Sequence, residues 1–327
     1  MIFRSAEYSN QQTDVHSVGP GISPHSRPLL RRSHGAFTLI ELLVVVFIIS
    51  ILASLLLPAL ARSQSKAKAT MCMSNQRQIG LGFAMYADMN NDTCVPGRAA
   101  RVGGNSDPQN LYEVGNGTQF RPRWFVTLGA QTGLYAFNRP TSDPAEDNTK
   151  LVDNRAFSCP EVPEWRNNRN FCFGYNFQFL GNTRRKASGE FIHLPVRVSS
   201  LNPANTVVFG DSIGTAAGKP AADRTPYRID GSPDLFAWGN HAWSLDPPGL
   251  TADSDFCDDS NRSPEHRGGI ASRHSGRSNV WFADGHSDRL TPQQLGYNVS
   301  SDGRFKMTGD NRLFSGTDLN ASPPSTR

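Results

Sequence analysis

The sequence has little net positive charge for its length. Its 327 residues include 33 Lys and Arg against 29 Asp and Glu, a net charge of +4. Binding to nucleic acid through counterion release requires a concentrated basic face. Hydrophobic residues make up only 37% of the chain, too few for a polytopic membrane protein, and the length excludes a short disulfide peptide. We therefore expect a mostly water-soluble protein without a nucleic-acid partner.

Cysteine is also scarce, and no two cysteines have the C-x-x-C spacing that is typical of zinc sites, so the sequence makes such a site improbable. The five cysteines are Cys72, Cys94, Cys159, Cys172 and Cys257. An oxidising compartment would favour one or two disulfides. Two bridges with one free thiol can be chosen in fifteen ways, five choices of the odd cysteine times three pairings, and the sequence does not choose among them.

One segment departs from this composition. Residues 42–61 contain no charge and are interrupted only by Ser50, Ser54 and Pro58. At about 1.5 Å per residue, twenty apolar residues in a helix cover roughly 30 Å, the thickness of a bilayer's hydrocarbon core. A helix lying on a globular core would keep a polar face, and this one has none. The pattern predicts a single membrane span, placed at about 37–61.

A polar stretch of 36 residues precedes the span and contains more Arg than acidic residues. The charged residues are Arg4, Arg27, Arg31 and Arg32 against Glu7 and Asp14. By the positive-inside tendency, the N-terminus is expected in the cytoplasm and the rest of the chain in the periplasm. The apolar run is too long for an ordinary cleaved secretory signal.

Glu41 places a carboxylate at the start of the apolar run. An unpaired charge in lipid costs at least about 2.5–3.5 kcal/mol, so such a residue is expected to be paired and functional. Its partner would be a positive charge on another copy or on a new N-terminus. The alternative is that Glu41 extends to the membrane interface without any special partner.

The segment AFTLIELLVV at 36–45 resembles the processing site of type IV pilins and of type II secretion pseudopilins. The resemblance implies that prepilin peptidase cuts before Phe37 and methylates its amine, and that a Glu stands fifth and a Pro twenty-second in the mature chain. Glu41 and Pro58 have these positions if the cut follows Ala36. The family usually has Gly before the cut, and Gly35 offers an alternative one bond earlier, which would make Glu41 sixth.

The resemblance also implies a role. The new Phe37 amine and the Glu41 carboxylate of neighbouring subunits would pair, which offsets the desolvation of both charges and sets the axial register. Pro58 is expected to kink or locally melt the helix. The implied partners are prepilin peptidase, other pilin-like subunits, an inner-membrane assembly platform and membrane lipid.

Beyond the span, the helix is expected to continue, so that the leader is 1–36 and the whole helix 37–90. Four apolar residues fall on one face at helical spacing, Cys72, Ile79, Phe83 and Tyr86. Gly80 and Gly82 each cost roughly 1 kcal/mol against Ala in a helix, so an earlier end near them is the alternative to the end at 90. The turn at 90–92 is the latest plausible end.

Residues 91–314 are predicted to form one α+β head with a mainly antiparallel sheet, as in pilins. Strand signals occur at 171–179, 205–209 and 279–283. Residues 97–122 and 214–269 are predicted to be long loops, and 315–327 a loose tail.

A hairpin is predicted from the pattern at 274–290. The strand at 279–283 is followed by Asp284 and Gly285, a favoured two-residue turn, and 286–290 returns. His274, nine residues and then Asp-Gly resembles the C-terminal H-X9-DG motif of prepilin-like proteins, a resemblance that implies no reaction. His274 and Asp284 could approach each other or help bind a metal; alternatively, His274 caps a loop and Asp284 only makes the turn.

Three further patterns suggest other chemistry. Asp211-Ser212 resembles the nucleophile segment of GDSL esterases, but no His follows an Asp at the family's spacing, so hydrolysis is not expected. Asp88, Asn90 and Asp92, like the acidic run 253–259, are weak candidates for calcium, with solvated turns as the simpler account. Trp238 and Trp243 could stack on sugars, although most Trp residues pack in cores.

The expected function is assembly: a non-enzymatic pseudopilin subunit of a type II secretion or type IV pilus-like filament, with no required cofactor. The alternative is a membrane-tethered, extracytoplasmic binding protein, for example for glycans, that does not polymerise.

Overall fold

The computed structural model describes residues 37–104, 106–186, 188, 190–231, 234–251 and 264–324. The chain divides into two compact units, Met1–Leu55 and Leu56–Arg327. The leader, including Gly35 and Ala36, lies outside the described residues. Cys257 and the acidic run 253–259 also lie outside them.

Helix α1 covers Leu39–Met89 and begins directly after Thr38. The helix continues through Pro58, so the local melting that was one of the two expected effects of this proline does not occur. It also continues through Gly80 and Gly82 to Met89, so the alternative of an earlier end near these glycines was wrong, and the end lies one residue before the expected 90. The helix ends at a left-handed turn, where Asn91 and Asp92 have φ of 53° and 63°, a conformation that Asn and Asp adopt more readily than most residues.

The rest of the chain forms short elements. The strands are β1 Leu111–Glu113, β2 Thr118–Phe120, β3 Phe173–Asn176, β4 Thr183–Arg185, β5 Phe191–His193, β6 Val207–Asp211, β7 Ser244–Leu245, β8 Ser278–Phe282 and β9 Ser287–Leu290. A second α-helix, α2, covers Trp124–Thr132, and a π-helical turn covers Phe177–Gly181. The 3₁₀ turns are Pro108–Asn110, Arg155–Phe157, Val198–Ser200, Pro203–Asn205, Gly214–Gly218, Ala221–Asp223 and Pro264–His266.

The central sheet has five strands in the order β7-β3-β6-β8-β9. The pairs β3–β6, β6–β8 and β8–β9 are antiparallel, and only β3–β7 is parallel. Two further antiparallel pairs, β1–β2 and β4–β5, stand apart from this sheet. The prediction of an α+β fold with a long N-terminal helix and a mainly antiparallel sheet is confirmed.

The second half of α1 packs on the central sheet. The predicted face of Cys72, Ile79, Phe83 and Tyr86 is buried. Phe83 meets the ring of Trp281 edge-on at 5.9 Å between centroids. Trp281 stacks in turn on Phe209 at 5.1 Å and Phe209 on Trp124 at 6.0 Å, so an aromatic stack joins β8, β6 and α2 beneath the helix.

A close approach explains why Gly80 lies inside the helix. A Cβ at this position would lie 2.2 Å from Cε2 of Trp281, well inside ordinary carbon contact. The glycine therefore admits the indole against the helix backbone. This packing offsets the low helix propensity of glycine. A prediction from local propensity alone therefore ends the helix too early.

Other differences from the sequence predictions are local. The predicted strand at 171–179 ends at Asn176, whose side-chain amide donates to the carbonyls of Val207 and Phe314. The region 97–122 contains the β1–β2 pair, and 214–269 contains β7. Residues 315–324, predicted to be loose, are held by hydrogen bonds; for example, the Asn202 amide donates to the Gly316 carbonyl at 2.7 Å.

Candidate functional site

The start of α1 is organised by Thr38 and Glu41. The Glu41 carboxylate accepts hydrogen bonds at 2.8 Å from both the backbone amide and the hydroxyl of Thr38, and the Glu41 amide donates to that hydroxyl at 3.2 Å. This reciprocal arrangement is a capping box, which satisfies free N–H groups at a helix start. Glu41 thus has a role inside its own helix that the sequence analysis missed, although the T-x-x-E spacing was visible.

The same end of the helix presents its apolar groups outward. Phe37 is 68% exposed, and every large apolar side chain from Leu39 to Leu60 is exposed in the single chain. Among the described residues, α1 is the helix that is long and apolar enough to cross a membrane. Exposed apolar surface of this extent calls for lipid or partner chains around it.

The predicted hairpin forms from β8 and β9. The amide of Gly285 donates to the Phe282 carbonyl at 3.0 Å, and the amide of Phe282 donates to the His286 carbonyl at 3.0 Å. Among the residues of this turn, only Gly285 has a positive φ, at 95°. The connection is therefore a three-residue turn closed by a left-handed glycine, and the prediction of a two-residue turn was wrong.

The two residues singled out in this hairpin do not meet. Asp284 lies in the turn and hydrogen-bonds its carboxylate to Nδ1 of His286 at 2.5 Å. His274 instead lies at the other end of β8, fully buried, with its Nε2 3.4 Å from Oδ2 of Asp211. Asp284 thus only makes the turn, whereas His274 belongs to a buried polar group.

That group is the four-residue cluster, Cys72, Cys159, Asp211 and His274. The Sγ of Cys72 lies 3.4 Å from Oδ1 of Asp211, and the Sγ of Cys159 lies 3.5 Å from Nε2 of His274. The four ligand-type atoms all lie within 4.8 Å of one another, and all four residues are fully buried. Sulfur, imidazole nitrogen and carboxylate oxygen are the donors that bind zinc in proteins.

Four separate segments supply the cluster. Cys72 comes from the buried face of α1, Cys159 follows a 3₁₀ turn, Asp211 ends β6, and His274 precedes β8. Residues 139 and 115 positions apart meet in it. The absence of a C-x-x-C pair therefore does not argue against a metal site here, because the sheet and the helix bring these four donors together from distant parts of the chain. No short motif marks Cys72, Cys159 or Asp211 as members.

The electrostatics of the cluster are set by burial and by one cation. Burial raises the pKa of the Asp211 carboxyl to about 6, although the nearby guanidinium of Arg273 acts to lower it. The Nε of Arg273 lies 3.8 Å from Oδ1 of Asp211. A hydrogen bond from Cys72 lowers the pKa of the Cys159 thiol, while burial raises that of Cys72. One thiol of the pair is thus favoured as a thiolate.

The weak calcium candidates have structural contacts. The Asp92 carboxylate accepts from the Ser199 amide at 3.0 Å, and the Asn90 side-chain amide donates to the Tyr86 carbonyl at 2.8 Å. These contacts end α1 and hold the next turn. Asp88, exposed on the last turn of α1, makes no contact that joins it to Asn90 or Asp92 among the described residues.

The esterase-like Ser212 is also explained by structure. Its hydroxyl is buried, donates to the Gly269 carbonyl at 3.1 Å and accepts from the Gly214 amide at 3.0 Å. A nucleophile must reach substrate and a base, and this hydroxyl instead holds a turn.

The two tryptophans proposed for sugar stacking differ. Trp243 is buried in the core, where its carbonyl accepts from the indole of Trp124. Trp238 is 40% exposed and meets Trp165 edge-on at 6.1 Å. Both Trp165 and Trp238 line a cleft of about 580 Å³ that also contains Arg224.

Residues 31–57 match the family model described as the prokaryotic N-terminal methylation motif. The motif indicates a type IV pilin-like or pseudopilin-like protein that is processed as a prepilin. It implies cleavage by prepilin peptidase and assembly with other pilin subunits, and the apolar helix behind it indicates membrane anchoring. Comparison with curated proteins and with solved structures finds no match.

Proposed function

We propose that this protein is a structural, non-catalytic pseudopilin subunit of a type II secretion or type IV pilus-like filament. The observation that carries the proposal is the prepilin motif at 31–57, which runs into a helical segment whose large apolar side chains, from Leu39 to Leu60, are all exposed in the described part of the chain. The expected mature chain begins at Phe37, with the leader left in the cytoplasm and the head on the periplasmic side of the inner membrane. An assembly platform in that membrane would receive it.

The helix start supplies the assembly chemistry. Cleavage before Phe37 creates a cation one residue ahead of the capping box, and Glu41 carries an anion three residues beyond Thr38. Both charges would enter a low-dielectric filament core, where unpaired charges are costly. Pairing the Phe37 amine of one subunit with Glu41 of its neighbour removes that cost and fixes the stagger between them.

A second apolar stripe supports packing between subunits. Leu81, Met85 and Met89 are spaced by four residues on α1 and are all exposed. Residues at this spacing lie along one helix face. The stripe lies on the helix beyond the proposed span and fits contacts with the helices of neighbouring copies.

The mature N-terminus tests the processing step. Mass spectrometry of the protein from cells with prepilin peptidase should find N-methylated Phe37, and cells without the peptidase should retain the leader. An N-terminus at Ala36 would move the cut to Gly35. An intact leader in functioning filaments would overturn the proposal.

Two Glu41 variants separate charge from capping. Glu41→Gln keeps a capping-box acceptor, since Gln also serves at this position, but removes the charge; Glu41→Ala removes both. We expect both variants to insert in the membrane and both to abolish assembly, measured as filaments sheared from cells. Filaments from Glu41→Gln but not from Glu41→Ala would show that capping, and not charge pairing, is the role of Glu41.

The cleft beside Trp238 favours one other candidate, a tethered binding protein that does not polymerise. A partly exposed tryptophan next to Arg224 is a surface that can stack on a sugar ring. Glycan-array binding by the full chain in detergent, lost in Trp238→Ala while filaments are absent from the wild type, would favour this candidate.

A further inference from the structure

The four-residue cluster has the composition of a metal site, and neither the prepilin motif nor the proposed assembly uses it. We propose that Cys72, Cys159, Asp211 and His274 bind one structural Zn²⁺ that ties α1 to the head. The cluster is the one group of three or more Cys, His, Asp or Glu donors within such short range in the described part of the chain.

The shortest distances within the cluster match edges of a tetrahedral zinc site. With zinc–sulfur bonds of about 2.3 Å and zinc–nitrogen and zinc–oxygen bonds of about 2.0 Å, the sulfur–nitrogen and sulfur–oxygen edges are about 3.5 Å and the nitrogen–oxygen edge about 3.3 Å. The sulfur–nitrogen separation is 3.5 Å from Sγ of Cys159 to Nε2 of His274. The carboxylate adds one further matching edge for either of its oxygens, 3.4 Å from Sγ of Cys72 to Oδ1 of Asp211 or 3.4 Å from Nε2 of His274 to Oδ2. The four ligand atoms all lie within 4.8 Å of one another.

The donor set selects the kind of metal. Two sulfurs and an imidazole are ligands for zinc and for other soft or borderline ions, whereas calcium and magnesium require oxygen. Four protein ligands in a fully buried place leave no open position for water or substrate, which is the mark of a structural site and not of a catalytic one.

The surroundings support the bound charge. Two thiolates and one carboxylate carry three negative charges, Zn²⁺ carries two positive charges, and the Arg273 guanidinium beside Asp211 supplies one more, so the buried group is neutral. The backbone amide of Asn279 donates to Oδ2 of Asp211 at 2.8 Å. A hydrogen bond of this kind orients a metal-binding carboxylate.

The site has a mechanical consequence. Cys72 lies on the same helix as the apolar span, and the other three ligands belong to the head. Because zinc binding and folding of such a site are coupled, the metal would hold the helix against β6 and the start of β8. His274 of the His-X9-Asp-Gly segment then acts as a ligand, while Asp284 and Gly285 shape the turn.

Metal content tests the proposal directly. We expect the full chain, purified in detergent without chelator, to retain about one zinc per chain by elemental analysis. After zinc is removed under reducing conditions, added Co²⁺ should give thiolate charge-transfer absorption and the visible bands of a tetrahedral ion. The proposal is overturned if the reduced protein contains no zinc and gives none of these bands. It is also overturned if peptide mapping of the protein finds a disulfide between Cys72 and Cys159.

Matched variants assign the ligands. Cys72→Ser and His274→Gln should each weaken zinc binding by at least about 100-fold, more than the loss of an outer hydrogen bond. Cys94→Ser, at a buried cysteine outside the cluster, and His286→Gln, at the exposed histidine of the hairpin, should retain one zinc. If both ligand variants keep full zinc content, the ion lies elsewhere. The cobalt spectrum of the wild type tests the site even where a variant fails to fold.

Discussion

The contact between Gly80 and Trp281 gives a quantitative prediction about how α1 is held. In Gly80→Ala the new Cβ would stand 2.2 Å from the indole, whereas carbon atoms prefer about 3.5 Å, so helix or ring must move by about 1.3 Å. Trp281 is buried and stacked on Phe209. Overpacking of such a core costs about 1–3 kcal/mol, and the better helix propensity of Ala returns about 1 kcal/mol. We expect a net loss of up to about 2 kcal/mol.

Gly82 is the matched control in the same helix. Its Cβ would lie 3.2 Å and 3.3 Å from the ends of the Leu128 and Leu134 side chains, which can move by a few tenths of an ångström. Gly82→Ala should therefore be neutral or gain up to about 1 kcal/mol from helix propensity.

Urea unfolding of the full chain in detergent measures both variants, with the slope of the transition checked for constancy. Trp281→Phe should cost less in the Gly80→Ala background than in the wild type, with a coupling of at least about 0.5 kcal/mol. Equal stability of Gly80→Ala and Gly82→Ala would refute the packing argument.

Two other predictions concern stability. Burial, followed by the nearby charge of Arg169, holds the pKa of His241 well below its usual value. His241 therefore takes up a proton near pH 6.5 in the unfolded chain but stays neutral in the folded chain. The free energy of unfolding is highest above pH 6.5 and decreases as the pH falls, by at most about 1.4 kcal/mol per pH unit. His241→Asn, which tolerates the local φ of 48°, should flatten the slope between pH 6.5 and 5 relative to wild type in urea titrations; identical slopes would contradict this. Gly285→Ala, at φ 95° with open space around it, should cost about 1 kcal/mol from backbone strain alone, and Gly285→Asn less; no loss by thermal unfolding would mean that the turn can rearrange.

Features that depend on local spacing were predictable from the sequence. The buried face of α1, the strands around 205–209 and 279–283, and the hairpin that follows all rest on periodicity or turn residues within a few positions. The apolar span and the prepilin motif are likewise contiguous in the chain. For these elements the physical cause and the pattern occupy the same stretch of sequence.

Features that depend on distant contacts were not predictable. Gly80 looks like a helix terminator until Trp281, 201 positions later, is found against it. Strands β1, β2 and β7 contain only two or three residues, too few to show alternation. The turn has three residues because it includes Ala283 as well as Asp284 and Gly285. The Asp-Gly pair alone does not specify whether a turn has two or three residues.

The carboxylates of Glu41 and Asp211 show the same contrast between local and distant causes. Glu41 stands out because a lone acid interrupts an apolar run, and its cost in lipid can be judged from the sequence. Asp211 stands in an ordinary β-strand, and only the fold reveals that it is buried beside two cysteines, a histidine and Arg273. A buried carboxylate needs compensation as much as one in lipid does, so a cation would offset the cost at either place. At Glu41 the proposed cation is the amine of another subunit, which links chains; at Asp211 it is a metal together with Arg273, which links the helix to its own head.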